Sequence, residues 1–412
     1  MRIKQGCVFG GGGNIPHRLR LQQHPYKGVR TVSGLRAIAP MTYARARLWT
    51  GVAGVGSLVI FALVMYLWQL PGTLFPFDGG PPWSAWAAFA TLFKLYVLIS
   101  LPFDFLGGYW LPCKHQRLCL LFPTFWIKWA RGVLIQGAVM TLSALILFET
   151  GRRWGVWAAA GALAALQLLL LAIQLPLAKW VGGLQSRPVE VPDAPRQTVA
   201  VSGYDAGFVG GFAGLPGMEK LVVPKHWLDA LAPAVLRAVL LRRAAVLATG
   251  ARTRGLLLAM AWNVGGFLVC AHLPGAGVER LWQFVTTLLA MTLWSFLGLL
   301  LLPSLSRPAV FAADREALRG GADPQALREA IVEIDQWQED EPQRGRWLER
   351  IFHPVPSVEN RLRALENGAP GAGAWHAART ALYLSWANFG LLSRAVHCNS
   401  GRPELWVMLP GD

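Results

Sequence analysis

Charge is scarce in this chain, and acid scarcest: 15% of its 412 residues are charged, with 23 Asp and Glu against 39 Lys and Arg. Soluble domains carry about a quarter of their residues as charges. A chain that is 54% hydrophobic, with 19 Trp and 19 Phe, is therefore no ordinary water-soluble protein, and lipid is the expected solvent for much of it. Cysteine is sparse as well. Cys7, Cys113, Cys119, Cys270 and Cys398 are odd in number and scattered, which excludes a disulfide framework read from spacing. The glycine-rich stretch 207–217 lacks both GxxxxGK[ST] and GxGxxG, so it reads as a hairpin turn, not a phosphate cradle.

The net charge of +16 is unevenly placed: residues 1–48 carry nine Lys or Arg and no acid, whereas residues 304–412 hold 14 of the 23 acids. Basic residues beside apolar spans set orientation and touch anionic headgroups, so no nucleic-acid partner is expected. Residues 1–40 have neither a signal-peptide core nor a helical period. They read as a disordered tail or a misassigned start, with Met41 as the alternative initiator.

What the chain has in abundance is long apolar runs. Stretches of about 17 to 25 residues, enough to cross roughly 30 Å of hydrocarbon, occur at 49–70, 84–103, 132–148, 156–177, 255–273 and 281–302. The second contains Lys94, which is expected to face another helix or a water pocket, since Asp104 lies ten residues on, too far to pair with it. The 71–83 loop has no Lys or Arg, the 104–131 loop has Lys114, Arg117, Lys128 and Arg131, and the 178–254 segment has ten. Six spans with both basic segments inside place the N-terminus and the 304–412 tail in the cytoplasm. Arg152 and Arg153 then fall outside, which leaves a five-span alternative open.

Between the fourth and fifth spans, residues 197–203 alternate weakly and 220–223 are β-branched, with the glycine-rich turn between them, predicting a small hairpin. Pro233 opens a helix that stops at Gly250, with Leu236, Leu240 and Leu247 on one face and Arg243 on the same stripe. Helices are also predicted over 308–319 and, through Leu327, Ile331 and Ile334, over 324–338. The order of these parts is distinctive: GGFAGLPG (210–217), a strand, LDALAPAVLRAVLLRR (228–243), two apolar spans, SRPAVFAADREAL (306–318) and HPVPSVENR (353–361). Over roughly 195–365 it resembles the membrane zinc metallopeptidase family that includes the CAAX prenyl protease and HtpX. The resemblance implies a small α+β zincin-like portion in which an HExxH helix and a later ExxxD helix hold zinc, followed by a His-Pro and an Arg.

HExxH works because histidines at i and i+4 reach one metal from one helical face while the Glu serves as general base. This chain has none of it. Arg242, Arg243 and Val246 stand where His, Glu and His would; a shift of one residue gives Arg243, Ala244 and Leu247. Val310 takes the place of the ligating Glu, and Asp314 survives four residues on. A guanidinium has no lone pair to give a metal, so the reading is a degenerate member without zinc. Arg242 or Arg243 is expected to fill the vacant space and pair with Asp314, against the plainer reading of Asp314 as a surface acid. His353 is either an active-site edge residue, as the resemblance implies, or a turn residue before Pro354; Arg361 is placed with it beside the groove.

Four other groups are weighed. Cys113, His115 and Cys119 match no common zinc spacing. Arg394, His397, Cys398, Asn399 and Arg402 form a polar turn expected to dock the C-terminus on the soluble portion, while 383–392 is too short to span and is expected to pack on that portion or lie at the interface. A relocated peptidase site would draw on His226, His353 or His397 with Asp229 or Glu359, and zinc would then be its cofactor. A transporter or channel would rest on Lys94.

The sequence thus predicts a mainly α, polytopic membrane protein, in a bacterial-type inner membrane. Its parts are a basic tail (1–48), four spans (49–177), a hairpin with the degenerate motif helix (178–254), two spans (255–302) and a helical cytoplasmic C-terminal portion (303–412). The expected partners are the bilayer and membrane-protein or peptide segments.

Overall fold

The computed structural model describes residues 42–75, 83–117, 120–202, 207–338, 341, 344–368 and 371–407. The expectations for residues 1–41, including the choice of start, and for Cys119 lie outside these residues. From Thr42, whose hydroxyl accepts from Arg45 N at the helix start, the chain runs through α1 (Tyr43–Leu67), α2 (Leu70–Leu74) and α3 (Trp83–Phe105). A π turn, Leu106–Trp110, leads into α4 (Leu111–Lys114), and α5 (Phe122–Ala172) and α6 (Gln174–Gly182) follow. The sheet comes next, then α7 (Lys225–Ala230), α8 (Pro233–Ala248), α9 (Ala251–Ala271) and α10 (Leu281–Arg319). Four further helices close the order: α11 (Pro324–Gln338), α12 (Arg346–Phe352), α13 (Val358–Asn367) and α14 (Ala377–Leu384).

Five helices among the described residues are long and apolar enough to cross a membrane: α1, α3 with its π turn and α4, α5, α9 and α10. The chain is a multi-pass membrane protein, and its environment is a lipid bilayer. Its exposed tryptophans gather at helix ends, with Trp49 and Trp68 at the two ends of α1, Trp83 and Trp86 opening α3, and Trp154 and Trp157 in the middle of α5. Indoles prefer the membrane–water interface, so the last pair marks an interface where a continuous helix has no reason to place one.

The backbone explains it. At 51 residues α5 would be about 76 Å long if straight, more than twice the hydrocarbon thickness. At Gly155, however, φ is 82° and ψ 178°, a conformation that glycine adopts at little cost. The chain doubles back there, bringing the Arg131 guanidinium against Gly183. The expected third and fourth spans are the two arms of this hairpin. The 273–280 connection lies on the same side as its tip, since Gly275 meets Gln69 and Gly151 meets Val278.

The sheet has four strands: β1 (Gln185–Val189), β2 (Thr198–Ser202), β3 (Gly211–Ala213) and β4 (Lys220–Pro224). In the order β1-β2-β4-β3, β2 and β4 are parallel and the other pairs antiparallel. The two runs expected to form a hairpin, 197–203 and 220–223, are neighbours but run parallel; the hairpin is β3–β4, with Phe212 opposite Leu221, because Gly211–Ala213 within the expected turn is itself a strand. Strand β1 went unpredicted because QSRPV contains a proline, which an edge strand tolerates.

Two further expectations are corrected. Lys94 is exposed on α3, so it does not pack against a neighbouring helix. The C-terminal segment does not dock on a separate soluble portion. Residues 374–407 run through the middle of the helical bundle, with Trp375, Tyr383, Trp386, Phe389, Arg394 and Trp406 at most 1% exposed. Tyr383 donates to Leu170 O of α5 at 2.6 Å, and Asn263 of α9 donates to Ala381 O at 3.0 Å. The glycines of the π turn let the segment in: side chains at 107 and 108 would collide with Ser400 and Gly401.

Candidate functional site

Helix α8 buries apolar residues nearly all round, and with them two arginines. Val235, Val239, Leu240, Val246, Arg242 and Arg243 all lie under 3% exposed, because α8 is wedged between α9, α10 and α11. From α10, whose inner face carries Ala309, Val310, Ala313 and Asp314, the Asp314 carboxylate reaches back to it. Arg242 Nε donates to Asp314 Oδ1. From the other side α13 supplies Arg361, whose Nε donates to Asp314 Oδ2 at 2.9 Å and whose Nη2 donates to Oδ1 at 2.8 Å. One carboxylate thus joins three helices through a planar fork on one side and a single guanidinium bond on the other, the strongest class of hydrogen bond that neutral pH offers.

The two arginines of α8 diverge. Arg242 lies over the Trp375 ring at 5.2 Å, while Arg243 sits 5.9 Å from the Trp227 centroid and donates from Nη2 to Val209 O at 3.0 Å. Asp314 is therefore partnered by Arg242. Burial lowers the Arg242 pKa to about 10, with Asp314 opposing the fall and Arg361 adding to it. Arg243 comes down to about 9 through burial and then the charge of Arg242. Both remain cationic at neutral pH.

A second buried carboxylate, Glu349 of α12, was not singled out in the sequence. It accepts from Arg307 at 2.6 Å, from Ser357 N at 3.2 Å and from Asn360 at 2.9 and 3.0 Å. Burial alone would raise its pKa, but the bonds from Asn360 and Ser357 and the Arg307 charge hold it below the usual carboxylate range. Glu349 fixes the turn between α12 and α13 against α10, and so aims Arg361 at Asp314. The S-R-P and H-P-V-P-S-V-E-N-R segments, noticed in the sequence as separate landmarks, meet on this side chain.

His353 ends α12, its N–H donating to Glu349 O at 3.1 Å, and its ring lies 5.5 Å from that of His397. It belongs to a neighbouring cavity rather than to the Asp314 cluster. Of the groups considered for a relocated site, His353 and His397 meet in one cavity, which neither Asp229 nor Glu359 lines. His226 meets Trp337 edge-to-face, 4.9 Å between ring centroids, Asp229 is exposed, and Glu359 pairs at the surface with Arg363 at 2.7 Å. His115 packs on Tyr43, 5.4 Å between rings.

Zinc, which the resemblance implies, takes thiolate, imidazole or carboxylate ligands in a tetrahedral set. Around Asp314 stand two guanidiniums and the apolar side chains of Val246 and Val310, and among the described residues no group of three or more His, Cys, Asp or Glu could hold a metal. These residues do not fit a zinc ion.

No family model and no curated protein matches the sequence. The fold does have a counterpart. The crystal structure of S. mikatae Ste24p superposes with a TM-score of 0.65 over 78% of this chain and 86% of that one, at 14% sequence identity. At that identity the likeness shows the fold alone: a Ste24p-like fold, in a chain with helices long and apolar enough to cross a membrane.

Proposed function

We propose that the chain is a zinc-free pseudopeptidase that acts by binding membrane-protein or peptide segments, in a bacterial-type inner membrane. One observation carries the reading: at the landmarks that resemble a metal-binding site, a carboxylate is saturated by two buried guanidiniums, so the junction a metal would make between helices is made by charge-assisted hydrogen bonds. The hairpin at Gly155 counts as two crossings. Six crossings then put the sheet, the Asp314 cluster and both ends of the described chain on the basic, cytoplasmic side.

The test is elemental analysis of the detergent-purified chain, with Asp314→Ala beside it. Less than about a tenth of an equivalent of zinc is expected in both. Close to one equivalent, reduced in the variant, would overturn the reading in favour of a rearranged peptidase.

A further inference from the structure

A cavity of about 370 Å³ lies beside the arginine cluster, within the roughly 300–1,000 Å³ of small-ligand pockets. Its two ends differ in chemistry. One is walled by Val52, Val55 and Gly56 of α1 and by Phe296, Leu299 and Leu300 of α10. These are half-buried or exposed stretches of two membrane-crossing helices, so hydrocarbon can enter from the bilayer. The other end holds Arg47, Arg379 and Arg402 with His353 and His397. Among the described lining residues the one carboxylate is Glu404, 3.9 Å from Arg402.

Arg47 is 9% exposed, and its Nε is buried with no hydrogen-bond partner among the described residues; the Arg379 Nε is in the same state. A buried donor left unmade is costly, and a native structure rarely keeps one without a use. The guanidinium fork matches the oxygens of a phosphate.

We infer that this cavity binds an anionic amphiphile, a hydrocarbon chain lying between α1 and α10 with a phosphate head on Arg47 and its neighbouring arginines. The inference goes beyond the pseudopeptidase reading and does not need it: zinc content decides that one and leaves this one standing. Gly56 offers a clean control. A Cβ there would meet nothing within 4 Å, so Gly56→Trp can start without a clash and place its ring in the apolar end.

The experiment is native mass spectrometry of the full chain in a non-ionic detergent, titrated with hexadecyl phosphate, hexadecylphosphocholine and inorganic phosphate. The expected result is a one-to-one adduct with hexadecyl phosphate, about tenfold tighter than with the zwitterion. Inorganic phosphate alone is expected to bind far more weakly than either. Arg47→Gln is expected to weaken hexadecyl phosphate by about tenfold and the phosphocholine, whose phosphate carries one charge fewer, by less. Gly56→Trp is expected to abolish binding at an unchanged melting temperature. Equal affinity for the two amphiphiles, indifference to Gly56→Trp, or inorganic phosphate binding as tightly as its alkyl ester would each overturn the assignment. Should Arg47→Gln fail to fold, the headgroup comparison and Gly56→Trp still decide it.

Discussion

Two buried aspartates anchor this molecule, and they are answered differently. Asp314, beyond the apolar part of α10, is shared by two guanidiniums from two other helices. Asp104, at the end of α3, meets one. Arg394 Nε lies 3.2 Å away, Trp129 Nε1 donates at 2.9 Å, and Gly401 N donates at 2.9 Å. Arg394 in turn rests 4.5 Å from the Tyr96 ring and 5.1 Å from Trp406, with Gln136 accepting at 3.3 Å. At the end of α3 one charge pair is padded by rings and amides. Between α8, α10 and α13 a denser cluster of charge is tolerated, because the carboxylate is satisfied along two directions. In both places a carboxylate joins segments remote in sequence, and what differs is how many cations depend on it.

That difference can be tested by removal. The largest effect is expected from Asp314→Ala, which strands two buried arginines at a cost of about 3–5 kcal/mol, read as the largest fall in thermal unfolding temperature in detergent. Asp104→Ala strands one guanidinium that keeps its aromatic faces and Gln136, so about 2–3 kcal/mol is expected. Adding Arg394→Met to Asp104→Leu should return most of that loss, since apolar replacement of a whole buried pair is often neutral. The smallest effect belongs to Arg242→Met, about 1–2 kcal/mol, because Arg361 retains both of its bonds to Asp314. A fall for Asp104→Ala as large as that for Asp314→Ala would erase the contrast. A fall for Arg242→Met matching Asp314→Ala would make Arg242, not Arg361, the main partner.

Much of the architecture was legible from hydropathy, because crossing a bilayer imposes a length on each apolar run. The Asp314 cluster could be anticipated because its parts stand in a recognisable order, and replacing a ligand by arginine beside a surviving aspartate suggests a pair. The choice between Arg242 and Arg243 could not be read, since adjacent residues on a helix point about 100° apart and only the packing of α8 settles which one faces α10. Asp104 was weighed only against Lys94, its neighbour along the helix. Its real partner lies 290 residues later, where nothing local signals the pairing. The hairpin in α5 was legible as two apolar runs, 132–148 and 156–177, with Arg152 and Arg153 between them; that Gly155 makes the turn was not, because a single glycine looks the same whether the chain turns at it or not. The 374–407 segment was misplaced because it is too short to cross a membrane, and length says nothing about filling a space that other helices enclose.

That enclosed segment has a consequence for how the protein is made. Residues 374–407 are translated after every helix that surrounds them, yet they end up innermost. The spans must therefore be inserted before the material that fills the space between them exists, and the bundle cannot reach its final packing until this last stretch is delivered to the centre with Arg394 and Asp104 joined. A ribosome stalled before residue 374 would leave a bundle whose inner faces have no partner, which is the form that membrane quality control has to meet.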